Sequence, residues 1–332
     1  YILLFLMGSQ SAIFGPSKYG IIPEIVPSDR VSKANGALVS LTCLATIFGT
    51  FLASFITDIT NKNFILSALL CVVIAIIGTL TSFGILHTEA KKSTKKINPF
   101  FLYEVYKTLA LCYKRKHLLS SVIGSGFFLF IGGFAQLNTI PFAMQSLNLT
   151  DVGGGYLFLT TAVGIAIGSL VSGKLLKEQI QLGLSCISGF FMSFLLVLLF
   201  ILSKFLVPVI ILLVLLGVFG GLFIVPFDSF IQVRSPKARR GQIIATANFL
   251  SFCGVLFAAF ALYFIGDVLH FSSASGFGFI GVGTFIFTFI MSARMSDVFF
   301  PYLTERVLLP IYSTKTTSAP ATTSLLIYQK TS

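Results

Sequence analysis

The sequence contains few charged residues: Asp, Glu, Lys and Arg make up only 10% of its 332 residues. Soluble domains carry about 25% charged residues, because hydration of their surface depends on them. In contrast, 55% of the side chains are hydrophobic and the mean hydropathy is +0.95. This balance excludes a cytosolic enzyme, a nucleic-acid-binding protein and a disordered chain. It predicts a protein that resides in a lipid bilayer.

Groups that ordinarily carry catalysis or hold metal ions are also scarce. There are three histidines, His87, His117 and His270, and none has a carboxylate or a cysteine at a metal-ligand spacing. The five cysteines form no C-x-x-C pair, and neither a G-x-S-x-G motif nor a glycine-rich phosphate loop occurs. The sequence therefore predicts no enzymatic activity, no metal site and no cofactor.

Long apolar segments are abundant. A helix needs about 20 apolar residues to cross roughly 30 Å of hydrocarbon, and nine segments between polar breaks reach this length. The predicted fold is an all-α bundle of nine membrane-spanning helices. The segments are residues 1–22, 34–57, 64–86, 118–144, 155–175, 182–203, 206–230, 243–264 and 271–291.

The 23 Lys and Arg residues fall almost entirely on one side of this arrangement. Cytoplasmic loops are enriched in Lys and Arg. With the long basic loop 87–117 inside, 21 basic residues lie inside and only Lys62 and Lys204 lie outside. The pattern predicts a cytoplasmic C-terminus. It also supports the count of nine spans, because a wrong count would break the alternation.

The basic loop divides the chain into two membrane parts. Residues 1–86 hold three spans and residues 118–291 hold six, and a cytoplasmic tail follows at 292–332. Within the loop, residues 100–111 have apolar positions at helical spacing, which predicts an amphipathic helix on the inner leaflet. A solvated connector is the alternative. The end of the tail is rich in Thr, Ser and Ala and is predicted to be disordered.

A weak internal repeat relates the two parts, as is typical of transporters. The first and second predicted spans correspond to the seventh and eighth, residues 206–230 and 243–264, at an offset of 208 to 213 residues. Because the second part has six spans, we expect three further helices upstream of residue 1. The repeated positions are Glu24-x-x-Pro27-x-x-Arg30 and Ala34-Asn35 in the first copy, and Gln232-x-x-x-Pro236-x-x-Arg239 and Ala247-Asn248 in the second.

Polar residues inside the spans are candidates for function, because burying them in lipid is costly. Asp228 follows Pro226 near the inner end of its helix, where it would line a cavity or a gate; alternatively it reaches the headgroups and pairs with Arg234. Gln136 and Asn138 would either line a cavity or form hydrogen bonds between helices. Gln10 in the first span has the same two interpretations.

The segment around Gly15-Pro16 is expected to interrupt the first helix, since proline removes a helical hydrogen bond. Lys18 follows within one turn. It either anchors the helix at the inner interface through its long stem or contacts an anionic lipid headgroup.

Two G-x-x-x-G pairs, Gly164 with Gly168 and Gly217 with Gly221, predict helices that approach closely. Such faces serve either static packing or sliding of helices during transport.

The motif Glu24-x-x-Pro27-x-x-Arg30, with its degenerate second copy, resembles the major facilitator superfamily, whose fold is two six-helix bundles. Residues 16–21 (PSKYGI) and 31–38 (VSKANGAL) are similar more narrowly to the bacterial lysophospholipid transporter branch, and residues 220–226 (GGLFIVP) are similar to its tenth helix. The resemblance covers about residues 1–295 and implies helices four to twelve. Gln136 stands where that branch has an arginine.

The resemblance implies a secondary transporter of the bacterial inner membrane that flips lysophospholipids from the outer to the inner leaflet by alternating access. Its partners would be membrane lipids, the lysophospholipid and a fused or neighbouring acyltransferase, whose H-x-x-x-x-D motif is absent from this chain. The alternatives are an exporter of another small or hydrophobic solute and a transport-inactive membrane anchor for an acyltransferase. The expected substrate path comprises Gln10, Gln136, Asn138 and Asn248, and the expected gate comprises Pro16, Lys18, Glu24, Arg30, Asn35, Pro226, Asp228 and Arg239.

Overall fold

The computed structural model describes residues 2–60, 63–85, 88, 100–176 and 180–308. Within these ranges all regular structure is helical, with eleven α-helices. The predicted all-α fold is therefore confirmed. The helices are α1 (Ile2–Ile25), α2 (Val31–Ile59), α3 (Phe64–Ser82), α4 (Phe101–Tyr113), α5 (Leu118–Leu147), α6 (Asp151–Leu175), α7 (Leu182–Ile201), α8 (Leu206–Arg234), α9 (Arg240–Tyr263), α10 (Ser273–Arg294) and α11 (Ser296–Tyr302).

Nine of these helices correspond to the nine predicted spans. Eight of them, α2, α3 and α5 to α10, are both long and apolar enough to cross a membrane. α1 has 24 residues, about 36 Å at 1.5 Å per residue, but it is not among the eight. It carries Gln10, Lys18, Glu24 and two internal prolines, which lower its hydropathy.

Prolines inside α1 and α8 do not end these helices. The interruption expected at Gly15-Pro16 is wrong, since α1 runs through Pro16, and α8 likewise contains Pro226. Membrane helices tolerate proline where neighbouring groups satisfy the freed backbone carbonyls. In α8 Pro226 frees the carbonyl of Leu222, and the Ser185 hydroxyl donates to the adjacent carbonyl of Phe223 at 2.8 Å.

The two copies of the repeat adopt the same local structure. Pro27 and Pro236 each precede a single 3-10 turn, Ser28–Arg30 and Lys237–Arg239, which joins α1 to α2 and α8 to α9. In each turn the amide of the last residue donates to the proline carbonyl at 2.9 Å. The ring restricts φ to about −65°, and the observed values are −58° and −55°. The weak sequence repeat is thus also a repeat of structure.

Helices α5 to α10 form one bundle, in which α6 and α8 cross at short range. Gly164 and Gly168 of α6 face Gly217 and Gly221 of α8, and a Cβ atom at any of the four would meet backbone atoms of the other helix. Packing of this kind drives association of helices in lipid. The close approach predicted for the two G-x-x-x-G pairs is confirmed.

The first three helices pack along one side of this bundle. α2 lies against α6 and α8, α1 lies against α9 and α8, and α3 contacts α2. The apolar stretch of α3, residues 65–82, has no buried residue. In the described part of the chain, the two membrane parts therefore meet mainly through α1 and α2.

α4 lies where the sequence predicts a helix in the basic loop, and its place on the inner leaflet stays a prediction. Its inner face buries Thr108 and Cys112, and the Phe101 ring meets the Phe249 ring of α9 edge-on with 5.8 Å between centroids. Burial raises the pKa of the Cys112 thiol to about 11, so the thiol stays neutral. Tyr106 on the other face is exposed.

α11 lies at the start of the predicted tail and is attached to the junction of α4 and α5. The Lys116 ammonium and Nε2 of His117 both contact the Asp297 carboxylate, the latter at 3.1 Å. The hydrogen bond from Lys116 holds the pKa of Asp297 below its ordinary value. The first part of the tail is helical; the segment predicted to be disordered lies outside the described residues.

The α6–α8 crossing provides a test of the bundle. Gly168→Ala should lower the free energy of unfolding in detergent by about 1–3 kcal/mol, because the new Cβ would collide with the carbonyl of Val218. Gly132→Ala in α5 is the matched control, since nothing lies within 4 Å of its Cβ position, and should change this free energy by less than about 0.5 kcal/mol. Denaturant titrations followed by circular dichroism measure both; equal effects would contradict the crossing.

Candidate functional site

A cavity of about 260 Å³ lies where α1 and α2 meet α5, α8 and α9. It is therefore shared by the three-helix part and the six-helix part. Apolar walls with a few polar groups are typical of ligand pockets. The polar side chains that line it are Ser11, Tyr19, Ser125, Asp228, Gln232, Asn248 and Ser251.

Asp228 is the one charged residue among the described residues that line this cavity. Its Oδ1 atom accepts a hydrogen bond from the Ser125 hydroxyl at 3.0 Å. Within the described part of the chain it forms no ion pair. The alternative partner Arg234 lies instead over the Phe230 ring, 5.9 Å from its centroid. The carboxylate thus faces the cavity without a cation beside it.

Asn248 brings an amide to the junction of α1 and α9. It lines the cavity, and a Cβ atom at Gly15 would lie only 2.9 Å from its Nδ2 atom. The glycine at position 15 therefore leaves room for this side chain. Asn248 is the one residue of the expected substrate path that the structure brings to the cavity.

Next to Asp228, a group of buried polar side chains joins α2 to α8; we call it the amide contact, and it consists of Asn35, Ser229 and Gln232. Asn35 donates to Oε1 of Gln232 at 3.1 Å and to Oγ of Ser229 at 3.0 Å, and it accepts from Nε2 of Gln232 at 3.0 Å. Asn35 and Ser229 are 0% exposed and Gln232 is 2% exposed. Since buried amides are costly without partners, these bonds hold α2 and α8 together.

A glycine contact between α2 and α6 reinforces the amide contact. Gly36 follows Asn35 in α2, and a Cβ atom there would meet the Ser169 carbonyl and lie 3.1 Å from the Cα of Gly173. A Cβ at Gly173 would in turn lie 3.1 Å from the Cα of Lys33. The backbones of α2 and α6 therefore touch at this level.

An ion pair connects α1 to α9 at the same end of the molecule. Oε1 of Glu24 lies 4.0 Å from Nη1 of Arg240, whose side chain is only 9% exposed. Arg240 is the first residue of α9, directly after the repeated 3-10 turn. The end of the bundle that carries both 3-10 turns is thus closed by three contacts, which join α2 to α8, α2 to α6 and α1 to α9.

Arg30 and Arg239, two of the expected gate residues, lie outside this closure. The Arg30 side chain is 73% exposed and approaches Asp29 at 4.0 Å. Arg239 is exposed and lines a groove with Glu104 and Lys107 of α4. Successive residues of a helix point about 100° apart, so Arg240 rather than Arg239 is directed toward α1.

Lys18 and Pro16 lie on α1 near the cavity without lining it. The Lys18 ammonium donates to the hydroxyl of Thr42 in α2 at 3.0 Å, and it lies 5.7 Å from the centroid of the Tyr19 ring. Lys18 therefore links α1 to α2 within the three-helix part.

Gln10, Gln136 and Asn138 also lie away from the cavity. Gln10 and Gln136 are exposed on α1 and α5. Asn138 is buried and donates to the carbonyl of Ser273 in α10 at 2.8 Å, which is the interhelical hydrogen bond considered as the alternative for it. It adjoins a second cavity of about 250 Å³ among α5, the end of α9 and α10.

Several site residues are absent from the sequence prediction. Gln232 carried a signal, because it occupies the place of Glu24 in the repeat. The serines could not be singled out from the sequence, because serine is common in membrane helices. Arg240 could not be told apart from Arg239, which occupies the repeated position. The residues missed are Tyr19, Ser125, Ser229, Gln232 and Arg240.

A repeated helical membrane bundle with a cavity between its parts is the architecture of a secondary transporter. The family model described as Major Facilitator Superfamily matches residues 1–259. The chain belongs to that superfamily.

Among curated relatives, the Lysophospholipid transporter LplT of Photorhabdus laumondii is 26% identical over 229 residues, which cover 68% of this chain and 56% of that protein. The proteins of the same name from Salmonella paratyphi B and Salmonella newport are 26% identical over 248 residues, which cover 73% of this chain and 60% of theirs. The chain thus spans 56 to 60% of the length of these relatives.

The amide contact predicts how the closed end responds to mutation. Gln232→Leu removes two reciprocal hydrogen bonds and leaves the Asn35 amide buried without them. A loss of about 1–3 kcal/mol should raise the population in which α2 and α8 separate by roughly 5- to 150-fold. The measurement is the alkylation rate of a cysteine introduced at Ser32, which is 1% exposed on α2.

The matched control is Ser193→Ala, which removes a buried hydrogen bond of 2.8 Å to the Gly281 carbonyl inside the six-helix part. Its alkylation rate should equal that of the parent. An unchanged rate in Gln232→Leu would show that the amide contact does not hold this end closed.

Proposed function

We propose that this protein transports lysophospholipids from the outer to the inner leaflet of a bacterial inner membrane by alternating access. The observation that carries the proposal is the cavity between the two membrane parts, closed at one end by contacts that cross from one part to the other. The names of the curated relatives support the choice of cargo.

In this mechanism residues 1–86 contribute the end of one helical bundle and residues 118–291 form the other, and the two rock against each other. The closed end carries both 3-10 turns, with Arg30, Lys237 and Arg239 among their residues. Because basic loops favour the cytoplasmic side, we assign this end to the cytoplasm and take the tail to be cytoplasmic as well. The conformation is then closed inward.

The contacts at this end suit a gate, because each of them can separate at modest cost. Asn35 and Gln232 form a neutral amide pair, Glu24 and Arg240 approach only to 4.0 Å, and at Gly36 the two backbones touch each other. The gate therefore comprises Glu24 and Asn35 from one part and Gln232 and Arg240 from the other. In contrast, the α6–α8 crossing lies within one part and would remain intact.

The substrate path leads to the cavity, where Asn248 and Asp228 offer polar contacts to a headgroup. The exposed amides of Gln10 and Gln136 would meet a lipid as it approaches from the outer leaflet. Lys18, held against Thr42 at 3.0 Å, would stabilise the three-helix part while it rocks.

A transport assay tests this function. The protein as its gene encodes it is reconstituted into liposomes, and fluorescent lysophosphatidylethanolamine is added to the outer leaflet. Transport should make the label progressively inaccessible to a membrane-impermeant quencher, while protein-free liposomes keep it accessible. Equal accessibility with and without the protein would refute the lipid cargo.

A pair of variants on α2 ties transport to the gate. Gly36→Leu places a side chain between α2 and α6 and should abolish transport, because the inner end can then no longer close. Gly49→Leu, on the same helix with nothing within 4 Å of its Cβ position, should transport like the parent. Size-exclusion chromatography checks that both variants remain folded, and full activity of a folded Gly36→Leu protein would rule out closure at this contact.

A further inference from the structure

The two oxygens of the Asp228 carboxylate have different surroundings. Its Oδ1 atom is held by the Ser125 hydroxyl at 3.0 Å, and no donor to Oδ2 is present among the described residues. Asp228 is partly buried and faces the cavity. One oxygen is therefore fixed in position while the other is free to meet a ligand.

The cations nearest in the sequence and fold are engaged elsewhere. The Lys18 ammonium is bonded to Thr42, and Arg240 faces Glu24. Arg234 lies over the Phe230 ring. A carboxylate inside a membrane bundle is costly unless a cation pairs with it. An ionised Asp228 would place an uncompensated negative charge in the cavity, and a positively charged ligand group would compensate it and favour the ionised form.

The cavity walls add a second feature that favours a cation. The aromatic side chains of Tyr19, Phe128 and Phe252 line the same cavity as Asp228. Aromatic faces attract ammonium groups, and enclosures of several aromatic rings recognise alkylammonium ligands. A carboxylate together with aromatic rings distinguishes an organic ammonium from a metal ion, which would require several oxygen ligands.

The size of the cavity restricts the ligand to a small group. Its volume of about 260 Å³ lies just below the usual range for whole ligands, which begins at about 300 Å³. A headgroup fits this space, but an acyl chain must extend beyond it. Phe252 at the cavity and Leu256 one turn further along α9 are 59% and 70% exposed, so an apolar surface for the chain continues from the cavity.

We propose that Asp228, positioned by Ser125 and surrounded by Tyr19, Phe128 and Phe252, binds the ammonium group of a zwitterionic lysophospholipid headgroup. This rests on the proposed lipid transport and adds to it a basis for headgroup selection. Ser229 and Gln232 of the amide contact lie one and four residues further along α8. The bound ammonium therefore sits directly beside the inner gate.

The test compares two cargoes in the same reconstituted protein. Lysophosphatidylethanolamine carries an ammonium group, whereas lysophosphatidylglycerol carries an uncharged glycerol. Asp228→Asn keeps the shape of the side chain and removes its charge. It should lower the transport rate of lysophosphatidylethanolamine by about tenfold or more, as expected for losing a charged hydrogen bond, while transport of lysophosphatidylglycerol continues and shows that the variant is folded.

The control is Asp267→Asn, the same change at an exposed carboxylate near the opposite end of α9; it should leave both rates unchanged. An unchanged ratio of the two transport rates in Asp228→Asn would overturn the ammonium site. This includes an equal loss of both cargoes, which a role of Asp228 in gating or proton coupling would give. If the parent protein moves neither lipid, the proposed function itself fails, and this outcome is distinct from the other two.

Discussion

The hydrocarbon core of a membrane offers no hydrogen-bond partner, so every polar group within it has to be satisfied by the protein. Many hydroxyls of the described spans meet this constraint locally, as Thr139 does by donating to the Ala135 carbonyl one turn back. Bonds between helices are fewer, and most of them, such as that from Asn138 to Ser273, stay within the six-helix part. The reciprocal bonds between Asn35 and Gln232 differ from these, because they join a helix that precedes the basic loop 87–117 to one that follows it.

Two kinds of helix contact follow from the same constraint. Glycines of α6 and α8 bring two backbones together over two turns inside one part, and dispersion forces along such a face favour a permanent crossing. Between the parts, α2 packs against α6 with its backbone touching at Gly36 and Gly173, and this contact is accompanied by polar bonds to α8 that have equivalents in water. The first kind suits a rigid body and the second suits a surface that opens and closes.

Much of the fold could be predicted from the sequence, because the length of an apolar segment indicates whether it can span a membrane. The repeat around Pro27 and Pro236 also indicated that the two copies would resemble each other, as the turns at Ser28–Arg30 and Lys237–Arg239 do. The site was harder to predict. Whether Arg239 or Arg240 faces α1 depends on helix rotation, which a basic run does not encode. The break expected at Pro16 was wrong, because α1 continues through it and the Ser17 hydroxyl donates to the Ile13 carbonyl in the same turn. Ser125 and Tyr19 became candidates only once the fold brought them beside Asp228.

The closure at the end that carries both 3-10 turns combines a bond between neutral groups with a bond between charges. Dissolved ions screen the attraction between Glu24 and Arg240, which is partly open to solvent, but they have little effect on two amides sealed from water. The resting position of such a molecule would then depend only weakly on the salt content of the cell. A closure made of charges alone would loosen as the salt concentration rises, whereas the amide half of this one would persist.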